Sequence, residues 1–183
     1  VQVVTIQGSK YLGLLSDTGL HLLDPLTGKV ELDYSWQHMG YRSLQPQVID
    51  GDKVLIPTGM GTGTRLVRIE RAKEAAESAG SLVGKEVWTS KEMKPDFNDM
   101  VIHKGYAYGF DNSIFACIDL EDGKRKWKGG RYEKGQALLL ADSDLILVVS
   151  ERGDLVLLRA TPEKLQELAK IPAMNAKSWN HPV

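Results

Sequence analysis

Three groups of residues in this chain are of types that could do chemistry. The run Thr58-Gly59-Met60-Gly61-Thr62-Gly63-Thr64-Arg65 has the glycine content of a phosphate cradle, in which backbone N–H groups approach an anion closely. No Lys-Ser or Lys-Thr pair follows it and no helix pattern opens behind it. The run therefore reads as a hairpin loop, with Arg65 the residue that would meet an anion if one bound. Asp96, Asn98 and Asp99 are oxygen donors suited to a hard cation, but the other ligands and the glycine spacing of a calcium loop are missing, so the segment reads as a solvated connection. His21, His38, His103 and His181 lie far apart with no ligand spacing. The single cysteine, Cys117, sits in the apolar run 114–118 and reads as a small core side chain with an inert thiol. No catalytic constellation emerges, and no catalytic or metal-binding residue is assigned.

Aromatic and basic residues concentrate instead in two connections, at Trp36, His38, Tyr41 and Arg42 and at Lys128, Arg131, Tyr132 and Lys134. Connecting segments carry function more often than the elements they join, and Arg, Tyr and Trp are favoured contact residues. Trp36, Tyr41, Arg42, Arg131 and Tyr132 are thus the expected binding surface, for a protein or carbohydrate partner; the competing reading makes them anchors packing between sheets. Lys plus Arg number 23 against 24 Asp plus Glu, so no global field favours nucleic acid or an anionic membrane. No segment approaches the roughly 20 consecutive apolar residues of a membrane-spanning helix.

The elements that must position these residues are legible from the turns. Tight-turn clusters recur at 7–10, 50–53, 103–106 and 141–144, each followed by a short apolar strand. A second turn set follows at 16–19, 59–63, 111–113 and 151–153, and a third at 24–29 and 119–124. Gly, Asn and Asp supply the positive φ that hairpins need. Four short strands joined by hairpins and repeated at this interval predict an all-β fold of β-propeller blades, each of four antiparallel strands. The expected blades are 1–45, 46–95, 96–135 and 136–176, with 177–183 the start of a further blade. The segment 71–78, rich in Ala, Glu, Lys and Arg, is the one helical expectation, inside an enlarged loop over 71–84.

The stretch Cys117-Ile118-Asp119-Leu120-Glu121-Asp122-Gly123-Lys124-Arg125-Lys126-Trp127 resembles the tryptophan-docking repeat of the pyrroloquinoline-quinone-like (quinoprotein-like) propeller family. The repeat frame is carried by Asp119, Gly123 and Trp127; Asp24 and Gly28 follow it with Leu32 at the Trp position, and Trp88 resumes it in the second unit. The resemblance implies a bacterial, periplasmic or secreted protein whose full ring has seven or eight blades. The chain would then be a partial propeller completed by a second copy or by remaining blades. Enzymes of the family hold the quinone and calcium with a cysteine pair and a catalytic Asp. None of those residues is matched, so no cofactor is expected. A non-catalytic binding or scaffold module is the first reading; part of a quinone- and calcium-dependent dehydrogenase is the alternative.

Overall fold

The computed structural model describes residues 1–72 and 80–182. It divides into two units, Val1–Thr89 and Ser90–Val183. In the first, β1 (Gln2–Ile6), β2 (Ser9–Leu15), β3 (Gly19–Leu23) and β4 (Val30–Ser35) form one sheet in chain order; β5 (Gln47–Ile49), β6 (Lys53–Thr58), β7 (Gly63–Arg71) and β8 (Leu82–Ser90) form another. In the second, β9 (Val101–His103), β10 (Tyr106–Asp111), β11 (Ile114–Asp119) and β12 (Arg125–Arg131) make the third sheet, and β13 (Gln136–Leu140), β14 (Leu145–Val149), β15 (Asp154–Arg159) and β16 (Glu167–Pro172) the fourth. All four sheets are antiparallel meanders, as expected of propeller blades.

The turns explain why the chain folds this way. Gln7 and Gly8, Asp50 and Gly51, and Lys104 and Gly105 all have positive φ, the requirement of a type I′ hairpin. The corresponding reversal in the fourth sheet is a 3-10 turn over Ala141–Ser143, closed by Asp144 at φ 54°. The third turn repeats the same two backbone bonds in each unit. Asp24 O accepts from Gly28 N at 2.9 Å, and Asp24 N donates to Lys29 O at 2.8 Å; Asp119 makes the same two bonds with Gly123 at 2.9 Å and Lys124 at 2.8 Å. Each aspartate Oδ1 also caps its own turn, accepting at 2.9 Å from Leu26 N and at 2.9 Å from Glu121 N. Gly28 (φ 73°) and Gly123 (φ 70°) take the left-handed position that this geometry demands.

The strands bury one face against a neighbouring sheet of the same unit. Val4, Ile6, Leu20, Leu22 and Leu32 pack with Val54, Ile56, Val67 and Ile69. Tyr108, Phe110, Phe115 and Cys117 pack with Ile146, Val148, Val156 and Leu158. The enlarged loop expected over 71–84 is shorter than that, because β7 runs to Arg71 and β8 is paired from Leu82. The helical expectation for 71–78 falls, beyond Ala72, outside the described residues.

Candidate functional site

In the first unit the connection from β4 to β5 carries Trp36, His38, Tyr41 and Arg42. Two guanidinium groups lie over the Trp36 ring, with Arg42 Cζ 5.2 Å and Arg65 Cζ 4.3 Å from its centroid. Arg42 Nη1 donates to Ser16 O at 2.6 Å and Nη2 donates to Trp36 O, which pins the loop instead of leaving the charge free. Arg65 is committed as well, to Thr89 Oγ1 at 2.7 Å, Tyr34 OH at 3.2 Å and Glu86 Oε2 at 3.2 Å. The glycine run is the β6–β7 hairpin, and its arginine is an internal tie.

Among the residues this connection offers to solvent, beside Gln37 and Ser43, are large apolar side chains. Met39 is 98% exposed, Tyr41 55%, and Met60, from the hairpin, 56%. Met60 lies across Gly40, where an added Cβ would stand 2.4 Å from its Sδ. The two methionines and the tyrosine thus flank one glycine. Beneath them His38 is buried, its Nδ1 2.9 Å from Thr62 Oγ1. Burial first, and the Arg42 charge second, hold its pKa below the usual imidazole value, so the ring is neutral at pH 7.

In the second unit Arg131 is exposed and lines a cleft of about 250 Å³ with Glu133, Arg152 and Lys170. Tyr132 does not belong to an exposed surface: it is 3% exposed, its ring 6.3 Å from that of Phe115 and its hydroxyl donating to Glu167 Oε2 at 2.8 Å. Only four residues separate β12 from β13, and the Tyr132 hydroxyl folds back over Gly130 to fill the space beside the core. Burial and the Glu167 carboxylate push its phenol pKa up.

Several carboxylates are engaged structurally. Asp111 is 1% exposed, and Lys94 Nζ lies 2.7 Å from Oδ1 while Lys128 Nζ and Arg125 Nη1 (3.4 Å) meet Oδ2. Burial alone would raise its pKa, but the hydrogen bonds from Lys128 and Lys94 outweigh it and hold the carboxyl below the usual range. Asp96 pairs with Lys134, Asp99 with His181 at 3.4 Å, and the Asn98 amide donates to Gly135 O at 2.5 Å. Among the described residues no cluster of three His, Cys, Asp or Glu could hold a metal. Cys117 is buried, and burial chiefly pushes its thiol pKa up to about 12.

The segment 173–182 carries no strand and runs back along its own unit. Glu151 is its anchor: Oε1 lies 2.6 Å from Lys177 Nζ and accepts from Trp179 Nε1 at 3.0 Å, while its carbonyl accepts from Ser178 N at 3.1 Å. The Trp179 ring meets Phe97 edge-on at 5.4 Å. The Lys177 hydrogen bond leads the causes that hold the Glu151 pKa at about 2, below the ordinary 4.5. A carboxyl with a depressed folded-state pKa stabilises fully above its unfolded value and loses that contribution as pH falls through the folded one. The Trp179 indole N–H resonance should therefore shift and exchange faster between pH 4.5 and about 2, while that of Trp127 stays put. Indole signals followed by NMR across that window check it; a pH-invariant Trp179 would contradict the anchor.

With this geometry in place, comparison with known proteins bears on the fold. No family model matches the chain, and no curated protein matches it. Solved structures do. BamB from Moraxella catarrhalis superposes with a TM-score of 0.61 at 16% identity, over 91% of this chain and 50% of that one. The chain is built of β-propeller blades. A computationally designed protein, Ika8, superposes with a TM-score of 0.63 at 9% identity, over 96% of this chain and 49% of the other. This chain spans about half the length of each.

Proposed function

We propose that this chain is a non-catalytic module of a bacterial, extracytoplasmic quinoprotein-like propeller, and that its β4–β5 connection binds a protein partner. The observation that carries the reading is the exposure of Met39, Tyr41 and Met60 around Gly40. Large apolar side chains at a loop tip are costly to leave in water, and methionine adapts its shape to varied partner side chains. A carbohydrate partner is disfavoured here, because both guanidinium groups already occupy the Trp36 ring on which a sugar would stack. The bacterial source of one similar structure and the repeated Asp–Gly turn support the family reading.

The test compares cross-linked capture from an extracytoplasmic extract by the native chain and by a Met39→Asp, Tyr41→Ala variant. A partner taken by the native chain should bind the variant about 30-fold or more weakly, the loss of a hot spot. Equal capture would overturn the reading. A rise in melting temperature on adding pyrroloquinoline quinone with calcium would replace it by the dehydrogenase alternative.

A further inference from the structure

The fourth sheet is apolar on both faces. One face, with Ala137, Ile146, Val148, Val156 and Leu158, is buried in the core of its unit. On the other, the strand register places Leu138, Leu147, Leu157 and Ala169 in one row across all four strands. Leu140 and Leu145 extend it on one side, and Leu155 and Ile171 on the other. These side chains are half-buried or exposed, Leu140 at 39% and Ile171 at 56%. A sheet with one face in water alternates apolar and polar residues, whereas near-continuous apolar strands such as LILVV mark a sheet covered on both sides. None of these side chains belongs to the core cluster of the second unit.

The first sheet has the matching feature. Its buried face packs on the second sheet, but Val3, Leu12, Leu23 and Val30 make an apolar row across its other face, with Val3 63% and Val30 44% exposed. That face carries Asp33, and the fourth sheet's carries Arg159. The chain thus holds both halves of a sheet-on-sheet contact, of the kind that already joins the sheets within each unit. Solved structures of the same fold contain about twice this length of chain.

We propose that the open face of the fourth sheet docks on the open face of the first sheet of a second copy, and reciprocally, so that two chains pair head to tail. A twofold pair then contains two equivalent contacts and leaves neither apolar row in water. Sedimentation of this chain at tens of micromolar should give twice the monomer mass. Leu147→Asp and Leu12→Asp should each weaken dimerisation at least about 30-fold. Mixing the two variants should restore dimer beyond what either forms alone, since one of the two contacts is then free of aspartate. Circular dichroism verifies folding, and Ile171→Asp, at a 56% exposed site, replaces Leu147→Asp if that variant unfolds. A monomeric native chain, a dimer indifferent to both substitutions, or a mixture without recovery would each overturn the pairing; the first would mean that other residues or another protein cover the face. Met39 and Tyr41 lie on neither row, so failure here leaves the loop-patch test unaffected.

Discussion

Asp111→Ala should cost about 3 kcal/mol of stability, read as a lowered denaturant midpoint at unchanged slope. The carboxylate is 1% exposed and is the shared counter-charge for Lys94, Lys128 and Arg125, whose side chains are only 23%, 29% and 32% exposed. Removing it leaves Lys94 and Lys128 without their counter-charge in a partly desolvated space, while Arg125 keeps Glu92, so repulsion adds to the lost pairing. The cations keep some contact with water, which places the loss at the lower end of the 3–5 kcal/mol typical of broken buried pairs. Lys128→Met should cost only about 1 kcal/mol, because Asp111 keeps its other partners. The surface pair Lys124–Asp122, 80% and 43% exposed, sets the contrast: Asp122→Ala should change stability by less than about 1 kcal/mol. The depressed Asp111 pKa fixes the sign with pH: its contribution is complete above the ordinary carboxyl range and fades as acid titrates the folded state. A loss for Asp111→Ala no greater than that for Asp122→Ala would show that the three cations simply turn to solvent.

The turns were readable because their chemistry is local. An aspartate four residues before a left-handed glycine can satisfy its own reversal, and Asp24–Gly28 and Asp119–Gly123 do so with the same bonds. Strand positions followed from those turns. What surrounds a side chain was harder to read. Asp111 closes a hairpin in the sequence, yet its partners come from positions 94, 125 and 128, and nothing local distinguishes it from a solvated turn residue. Tyr132 fits the composition of a contact surface but turns inward, since a four-residue connection beside the Phe115 ring leaves it a cavity to fill. Arg65 ends a glycine-rich run that looks open to an anion, while a tyrosine, a threonine and a glutamate from other strands have claimed its donors. Met39 and Met60 went unmarked for the converse reason: methionine reads as core by type, and only the fold shows that Gly40 lets the two sit together in solvent. The same limit hid the second apolar face of the fourth sheet, which requires the register between strands and not their sequences alone.

Trp127→Ala should cost about 2–3 kcal/mol, at or below the low end of the range for truncating a large core aromatic, because the ring is partly buried against the core. The indole stands at the end of the repeated Asp–Gly turn, tilted over Phe115 at 6.2 Å and Tyr108 at 6.1 Å, with its Nε1 donating to Thr161 O at 2.8 Å. That bond crosses from the third sheet to the loop after β15, so the residue joins two sheets through both its ring and its N–H. The corresponding position of the first sheet holds Leu32, which is 2% exposed and joins its neighbour by apolar burial alone. The N–H is therefore an addition to sheet stacking and not a condition for it. Trp127→Phe separates the two parts: the ring contacts largely remain, while the carbonyl of Thr161, itself only 9% exposed, loses its donor, for about 1–2 kcal/mol. If the indole acts as a tie between sheets, amide exchange in β15 and β16 should quicken more than in β9 and β10 in both variants. Exchange that quickens equally throughout the unit would mean that Trp127 is ordinary core filling, and that the fourth sheet is held by Ile146, Val148, Val156 and Leu158 without it.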